Sequence, residues 1–519
     1  MTTLAGSHRT KPQGAQACGK VEANEPIVVW VYLKNPSARR RTPGSASDLA
    51  ALAQPTSRRA LGRQRAAEYA PAFIEVAKFA RQNGLTVHAV QADRRCVVLK
   101  GRAARMTKAF SATLHIYDSG HRRFRARTGA LKVPISMGSW TRAVLGFDQR
   151  PQAGPSSTAS APATPGLWPS EVAALYGVPL EPVSKTQCIG IIALGGGYLA
   201  SDVAQAAAQA GRPPPTIIEQ SVDDVTNQFG GGTPADQEIA LDMQVVAGVV
   251  PAAKIIIYFA PNTAAGLAAA IHQAVFDDEN RPQVLSISWG SAEKVWRPGP
   301  RDAVQAALAD AVMLKVSVAV ASGDLLATGG LSDGAAHVFF PSSSPYVLGC
   351  GGTQVSLESG AIASEDVWKE GYTGSGGGIS DLFAIPAFQK GITLPSSIPG
   401  NKTGRGVPDV AAAAARIPGY RIILGGTSIV KDGTSAVAPL WAGIIALANA
   451  QRGTPLGLVN PILYSDPGWF RPIVRGDNCV GSLGYSAAPG LLWNACTGLG
   501  TPRGAAIVAG LAADGAPAA

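Results

Sequence analysis

The sequence predicts an α/β protein in which a parallel sheet carries helices on both faces, preceded by a small α+β domain. A Pro-, Ala- and Ser-rich segment at 149–166 has no apolar period and divides the chain. Beyond it, near-continuous apolar strands alternate with helical runs, the pattern of a parallel sheet buried on both faces. With 519 residues, 46% of them hydrophobic and 15% charged, the chain is long enough for two or three packed domains.

The net charge of the chain also changes sign at this segment. Residues 1–150 carry 26 Lys and Arg against 8 Asp and Glu, a net of +18, whereas residues 151–519 carry 19 against 27, a net of −8. A basic segment of this kind can bind nucleic acid, but this one lacks interleaved surface aromatics and any known motif. We therefore expect no nucleic-acid partner and predict that the basic segment lies on the acidic remainder.

The first part of the chain is interpreted as a disordered polar tail over residues 1–24, a domain over residues 25–150 and a linker over residues 151–166. Within the domain, short apolar runs predict strands at 27–33, 85–87, 96–99, 114–117 and 124–127. Helical periodicity covers residues 69–82 and 101–110.

The second part, residues 167–519, is predicted to form one α/β domain. Apolar runs predict strands at 188–194, 254–259, 284–287, 316–321 and 346–348, with helices at 263–276 and 301–314 between them. Glycines 195–197 follow the first strand, but their spacing does not match a dinucleotide-binding loop. We interpret them as a tight turn.

Cysteines and terminal segments restrict the class of protein further. The six cysteines show no zinc-ligand spacing, and only Cys479 and Cys496 stand close enough in sequence to suggest a pair. The N-terminus lacks the apolar core of a signal peptide, and no apolar run reaches the roughly 18 residues of a membrane span. We expect a soluble monomer without a membrane partner.

Ser435 is the first candidate for chemistry. Lys431-Asp432-Gly433-Thr434-Ser435 leads directly into a long apolar, helix-prone run, which would place the hydroxyl at the exposed N-terminus of a buried helix. The alternative is an ordinary serine helix cap. A second Gly-Thr-Ser at 426–428 runs into a strand and turn, so it has no such context.

Candidate bases and acids accompany this serine. Glu238 and Asp242 are four residues apart and share one helix face, which fits a base and its partner, but also two solvated acids or the carboxylate pair of a glycosidase. Asp324 follows a buried strand and could donate to an oxyanion if protonated, or could be an ordinary turn aspartate. His272 and His337 are interpreted as structural histidines.

These segments together resemble the sedolisin (serine-carboxyl peptidase) family, and most of all its kumamolisin-type bacterial members. Further matching motifs cover the whole region after the linker, in the family's order: LGGGY, YFAPN, SISWG, SPYVLGCGGT, GSGGGIS, RGVPDVA and TGLGTP. The basic first domain, with its segment at 143–147, resembles the family's activation propeptide.

The resemblance implies a subtilisin-like fold preceded by a ferredoxin-like propeptide domain, and an acid-active endopeptidase made as a zymogen. It implies Ser435 as nucleophile, Glu238 as general base, Asp242 as its partner and Asp324 as the oxyanion-hole acid. Ser288-Trp289-Gly290 resembles the substrate-binding strand. The partners would be polypeptide substrates and the chain's own propeptide, cut within the linker. An extracellular, secreted location is expected, and a cytoplasmic one stays open.

Two departures from the family pattern are visible. Ala193 stands where kumamolisin-type members carry a glutamate that extends the catalytic network. In the C-terminal calcium loop, Pro472 and Asn494 replace both carboxylate ligands, so Ile473, Gly490, Leu492 and Asn494 form a degenerate site. We therefore expect no cofactor for the chemistry and weak or absent calcium binding. An inactive, peptidase-like binding protein is the alternative function.

Overall fold

The computed structural model describes residues 1–37, 41–54, 56–120, 122–155, 166–181 and 187–513. They form an N-terminal and a C-terminal domain, and the described part of the linker, 151–155, connects the first domain to the surface of the second. Within these ranges, no helix has both the length and the hydropathy to cross a bilayer.

The described residues of the N-terminal domain form nine strands and five helices. The strands are β1 Thr2–Thr3, β2 Gln16–Lys20, β3 Pro26–Leu33, β4 Thr86–Gln91, β5 Cys96–Arg102, β6 Thr113–Asp118, β7 Arg123–Thr128, β8 Lys132–Val133 and β9 Thr141–Leu145. The helices are α1 Ala46–Leu52, α2 Arg58–Glu68, α3 Ala70–Gln82, α4 Ala103–Phe110 and α5 Ile135–Gly138.

The centre of this domain is a four-stranded antiparallel sheet in the order β4-β5-β3-β9. Helix α3 precedes β4 and α4 precedes β9, which gives the βαββαβ connectivity of a ferredoxin-like fold. Alternate residues of β3, among them Val29 and Val31, pack with Val76 of α3 and Met106 of α4 in a core of their own. The predicted α+β ferredoxin-like domain is therefore confirmed.

The prediction of a disordered tail over residues 1–24 is wrong. Strand β1 pairs with β8, and β2 pairs with β6 to extend the β6–β7 hairpin into a three-stranded sheet. Strand β2 is exposed at all five positions, so it forms by backbone pairing without an apolar signal in its sequence. Leu4 is the exception, since its side chain is buried in the domain core.

Nineteen described strands follow the N-terminal domain, the first in the linker and the other eighteen in the C-terminal domain. They are β10 Gly154–Pro155, β11 Cys188–Leu194, β12 Thr216–Ser221, β13 Lys254–Ala260, β14 Val284–Ile287, β15 Trp289–Ala292, β16 Ser317–Ala321, β17 Phe339–Phe340, β18 Leu348–Glu358, β19 Ala361–Val367, β20 Lys369–Glu370, β21 Thr373–Gly374, β22 Gly378–Ile379, β23 Gly406–Val407, β24 Val410–Ala413, β25 Tyr420–Leu424, β26 Thr427–Lys431, β27 Phe470–Arg471 and β28 Thr501–Pro502. Strand β10 belongs to the linker.

Its described helices are α6 Pro169–Leu175, α7 Ala200–Gln209, α8 Pro234–Val249, α9 Ala264–Phe276, α10 Pro298–Met313, α11 Thr434–Arg452, α12 Asn460–Leu463 and α13 Gly504–Ala513. Short 3-10 turns cover Glu293–Val295, Ala387–Gln389 and Pro467–Trp469.

An eight-stranded sheet forms the middle layer of this domain. Its order is β12-β13-β11-β14-β16-β18-β19, with β24 also paired to β18, and every pair is parallel except β18–β19. Helices α8 and α11 pack on one face, and α9 and α10 pack on the other. The predicted parallel sheet with helices on both faces is confirmed.

The N-terminal domain docks on the face that carries α9 and α10. Tyr32 of β3 and Leu145 of β9 lie in the same apolar cluster as Leu308 of α10 and Ile271 of α9. Strand β3 is apolar along its whole length because one side faces its own core and the other faces α9 and α10. The basic segment therefore lies on the remainder, as its charge predicts.

Two local predictions differ from the structure. The run at 346–348 is not a strand of its own, since β18 begins at Leu348 and continues to Glu358. Helices α1 and α2 were not predicted, because α2 buries only Leu61 and Arg65 and so lacks an apolar stripe. At Arg65, where an apolar side chain would be expected, the helix instead forms an ion pair with the other domain.

Candidate active site

Ser435 lies in the first turn of α11, where a tight backbone turn ends β26. Gly433 caps the helix with φ of 111°, a left-handed conformation that favours glycine. Its N–H donates to the Ala414 carbonyl at 2.7 Å, which fixes the turn against the end of β24. Ser435 is fully buried in this state, whereas Ser428 of the second Gly-Thr-Ser lies exposed within β26.

Asp324 is bound to the residue that precedes Ser435. Its Oδ1 accepts from the Thr434 N–H at 2.9 Å and from the Thr434 hydroxyl at 2.7 Å, while that hydroxyl accepts from the Gly323 N–H at 3.1 Å. The end of β16 and the start of α11 are thus joined by one carboxyl group. Asp324 is a member of the site and not a solvated turn aspartate.

Burial favours the neutral form of the Asp324 carboxyl. Burial raises its pKa well above the usual range, the two bonds from Thr434 oppose this, and the charges of Glu238 and Asp432 raise it further. Its Oδ2 has no hydrogen-bond partner within the described ranges. A protonated Oδ2 there can donate to a developing oxyanion beside Ser435.

Glu238 and Asp242 lie on successive turns of α8, which begins with the Thr233 side chain accepting from the Asp236 N–H at 3.3 Å. Both carboxylates are buried, with 0% and 1% exposure, so two solvated surface acids are excluded. Burial, followed by the charge of Glu238, raises the pKa of Asp242. The charge of Glu238 acts on Asp242 because the two side chains lie on one face of the same buried helix.

Ser288 connects this pair to the serine helix. Its hydroxyl donates to Asp242 Oδ1 at 2.7 Å and lies 3.3 Å from the Ser435 carbonyl oxygen. That hydrogen bond opposes the rise in the pKa of Asp242. The sequence marks Ser288 as part of a substrate strand, but the structure directs its side chain into the acid pair.

Lys431 is a further member of the site that sequence reasoning missed. Its Nζ donates to Gln237 Oε1 at 2.9 Å. Burial lowers the pKa of Lys431, and the charges of Glu238, Asp432 and Asp324 oppose that shift. The sequence signal that could have identified Lys431 is its position immediately before Asp432-Gly433-Thr434-Ser435.

The described part of the linker pairs with the strand that follows Ser288. Strand β10 pairs antiparallel with β15, with Gly154 opposite Gly290 and Pro155 opposite Trp289. The Asn262 side chain donates to the Ala153 carbonyl at 2.8 Å, and its oxygen accepts from the Ala153 N–H at 3.3 Å. The rest of the predicted cleavage region, 156–165, lies outside the described residues.

Ala193 is fully buried in β11, at the position of the missing family glutamate. The indole Nε1 of Trp289 is also buried, without a hydrogen-bond acceptor in the described part of the chain. Ser288 donates a hydroxyl hydrogen bond to this acid pair, through Asp242.

Neither histidine belongs to this arrangement. His272 is buried in α9, with Nδ1 3.7 Å from Asp310 Oδ2, and His337 contacts Asp333 through Nε2 at 2.8 Å. The six cysteines are all free, including Cys479 and Cys496.

The predicted calcium loop is closed by hydrogen bonds from one amide side chain. Asn494 Oδ1 accepts from the Cys496 N–H at 3.0 Å and from the Thr497 N–H and hydroxyl at 2.9 and 3.0 Å, while its Nδ2 donates to the Ile473 carbonyl at 3.1 Å. Gly490 and Leu492 are exposed. No cluster of three or more His, Cys, Asp or Glu side chains suited to a metal occurs among the described residues.

Comparison with known proteins agrees with this architecture. Residues 13–150 match the pro-kumamolisin activation domain, and residues 225–456 match the subtilase family. Kumamolisin from Bacillus sp. (strain MN-32) is 40% identical over 451 residues, covering 83% of this chain and 81% of that protein. Sedolisin from Pseudomonas sp. (strain 101) is 27% identical over 477 residues, covering 85% and 79%.

A solved structure extends the match to three dimensions. Pseudomonas sedolisin, described as a serine-carboxyl proteinase and complexed with two molecules of pseudo-iodotyrostatin, superposes with a TM-score of 0.60 at 27% identity, covering 69% of this chain and 100% of that one. The activation domain and the subtilisin-like fold account for both parts of the chain. This protein therefore belongs to the sedolisin family of serine-carboxyl peptidases, as a kumamolisin-type member with an N-terminal propeptide domain.

Proposed function

We propose that this chain is the zymogen of an acid-active endopeptidase that cleaves polypeptides through an acyl-enzyme. Ser435 is the nucleophile, Glu238 the general base, Asp242 its partner and Asp324 the oxyanion acid. The observation that carries the proposal is the double hydrogen bond from Thr434 to Asp324. It positions the Asp324 carboxyl next to Ser435, at the N-terminus of a buried helix, and burial of that carboxyl favours its neutral form.

The chemistry begins with attack of the Ser435 hydroxyl oxygen on the substrate carbonyl carbon. Glu238 takes the hydroxyl proton, and the carbonyl oxygen becomes an oxyanion that accepts a hydrogen bond from Asp324 Oδ2. Collapse expels the amine, which receives the proton from Glu238. Water then attacks the acyl-enzyme by the same route, and Ser435 recovers its proton.

Acid activity follows from the use of carboxyl groups. A glutamate base with an ordinary pKa of about 4.3 still accepts a proton in acid, where a histidine is already charged. Asp324 acts only while protonated, which low pH favours. Asp242 affects the general base because the two carboxyls interact through their charges, so the protonation of one depends on that of the other.

Latency is explained by the position of the linker. Antiparallel pairing with β15 is how an extended peptide adds to an exposed strand, so β10 covers the groove that a substrate would use. Trp289 and Gly290 belong to that strand, whereas the Ser288 side chain is directed toward the acid pair. Cleavage within 151–166 releases residues 1–150, and export to an acidic extracellular space suits this activation.

Electrostatic attraction between the domains is part of the same proposal. Near neutrality, a segment of net charge +18 lies on a remainder of net charge −8, and acidification neutralises carboxylates and weakens that attraction. If propeptide release did not respond to salt or to pH between about 7 and 4, this account would be overturned.

No metal or cofactor is needed for these steps. We propose that structural calcium binds weakly or not at all, since Asn494 uses its oxygen and its nitrogen within the loop, and neither replaced carboxylate is present. The protein is expected to act as a monomer.

The deciding experiment compares wild type with Ser435→Ala at pH 4 and pH 7 by intact mass. We expect wild type alone to lose about 150–165 N-terminal residues at pH 4. Loss from both proteins would assign the cut to a contaminating protease. If neither changes, digestion of a denatured protein at pH 4 separates failed processing from the inactive binding protein.

A further inference from the structure

A cavity of about 820 Å³ lies between the two domains, beside the point where the linker leaves the first domain. We call it the basic cleft. Six of its lining side chains are cationic: Arg9, Lys11, Arg122 and Arg150 from the N-terminal domain, and Lys294 and Arg297 from the C-terminal domain. Asp333 is the one acid in the lining, so the cleft carries a large excess of positive charge.

The nearby carboxylates are already engaged. Asp333 is contacted by the Lys294 ammonium and by His337 Nε2, and Asp148 accepts from Arg150 Nε at 2.8 Å. By contrast, Lys11, Arg122 and Arg297 have no carboxylate partner within the ranges that the structure describes. Three cationic groups therefore face the cavity uncompensated.

The cations of the cleft also repel one another across the domain boundary. Arg9 is 8% exposed, and burial lowers its pKa. Asp148 opposes that shift, but the charges of Arg150 and Arg297 lower the pKa of Arg9 further. Because Arg297 belongs to the other domain, this repulsion acts against docking unless an anion lies between them.

We propose that the basic cleft binds a multivalent oxyanion, bearing phosphate or sulfate groups, and that binding holds the two domains of the zymogen together. Guanidinium groups match such oxyanions with paired N–H donors. The site exists only in the docked chain, since each domain supplies part of it. A ligand that binds the docked form alone shifts the equilibrium toward it.

The linker gives this site a regulatory consequence, which rests on the proposed zymogen function. Arg150 and Gln152 line the cleft, and β10 begins two residues later at Gly154. An oxyanion bound to Arg150 fixes the chain where it enters the groove beside Ser435. Bound oxyanion is therefore expected to slow release of the N-terminal domain at acid pH.

Binding is tested on the full Ser435→Ala chain, which cannot process itself, by calorimetry with sodium tripolyphosphate at low salt and pH 6. We expect one site per chain, weakening as salt rises, and at least tenfold weaker binding in the Lys294→Ala/Arg297→Ala background. Lys315→Ala/Lys390→Ala removes two exposed charges elsewhere and should leave affinity within twofold. No binding, many weak sites, or equal loss in both double variants would overturn the proposal.

Two further arms complete the test. Sucrose octasulfate in place of tripolyphosphate distinguishes a sulfate-selective from a phosphate-selective site, and competition between the two compounds would support one shared site.

An intact-mass time course of wild type at pH 4 then measures regulation. We expect saturating tripolyphosphate to slow processing at least threefold. Unchanged processing despite binding overturns the regulatory consequence alone. Absent processing without ligand overturns the proposed function, while calorimetry still decides the site.

Discussion

Arg65 of the N-terminal domain and Asp310 of the C-terminal domain form a buried, two-pronged ion pair. Arg65 Nη2 donates to Asp310 Oδ1 at 2.5 Å and Nη1 donates to Oδ2 at 3.0 Å, with both side chains no more than 4% exposed. Arg95 adds a third bond to Asp310 Oδ2 at 2.7 Å. The propeptide domain is thus anchored to α10 by two arginines on one carboxylate.

Burial and the arginines of this anchor oppose protonation of His272. Burial lowers the pKa of His272 to about 3; Asp310 opposes this shift, and the charges of Arg95, Arg94 and Arg65 add to it. The ring also stacks on Tyr32 of the propeptide domain, with centroids 6.0 Å apart. Undocking would expose the ring to water and remove the arginines, so its pKa should return toward about 6.5.

The first prediction is that proton uptake by His272 drives release. Docking is at full strength above about pH 6.5 and weakens as the pH falls toward 3, because only the released form binds the proton. Between pH 7 and 4, this one group should weaken docking on the order of 100-fold. The lowered pKa of Asp310 acts in the same direction below about pH 4.

Domain separation is measured by gel filtration on Ser435→Ala protein that carries an engineered protease site within 156–165 and has been cut there. His272→Phe should remove the part of the pH dependence that this group contributes, on the order of 100-fold between pH 7 and 4, whereas His88→Gln, on the exposed strand β4, should keep it. Equal pH dependence in His272→Phe and the parent would exclude His272 as the sensor.

The second prediction concerns Asp324. Removing the oxyanion donor in Asp324→Ala should lower kcat about 10²- to 10³-fold. In wild type, activity should be lost as the pH rises through the raised pKa of Asp324, since the donor proton leaves. Asp324→Asn keeps an N–H donor at every pH, so its alkaline limb should move upward in a kcat/KM profile. An alkaline limb that stays in place would assign it to another group.

The third prediction concerns Ser288. Ser288→Ala removes the hydroxyl bond that opposes the raised pKa of Asp242, so that pKa should rise further. We expect kcat to fall about tenfold and the acid limb of kcat/KM to shift to higher pH, with little change in KM. Ser286→Ala is the matched control, because its buried hydroxyl has no partner in the described part of the chain. A pH profile that does not shift would show that Ser288 contributes only packing and does not affect the pKa of Asp242.

The fourth prediction concerns the C-terminal loop. Asn494→Ala deletes the four hydrogen bonds that close it and should lower the free energy of unfolding by about 2–4 kcal/mol. Thermal unfolding measures this, and neither chelator nor added calcium should move the Tm of wild type by more than about 1 °C. Tight calcium binding in calorimetry would show that carbonyl oxygens suffice for a site.

Local sequence patterns predicted most of the sheet and the helices of the second domain, because these elements depend on residues that are close together in sequence. The i, i+4 spacing of Glu238 and Asp242 places both on one helix face whatever surrounds it. The apolar run after Ser435 fixes the helix behind it. Exposed strand β2 had no such signal, since it pairs with β6 mainly through backbone groups.

The sequence by itself therefore determined which groups are available for chemistry and the periodic elements that carry them. Tertiary structure alone decided that Asp324 contacts Thr434, 110 residues away, and that Ser288 contacts Asp242, 46 residues away. It also decided that residues 154–155 pair with β15, and that His272 stacks on Tyr32 within reach of the charges of three arginines. These contacts depend on strand order and domain docking, which bring distant residues together, and so no local pattern encodes them.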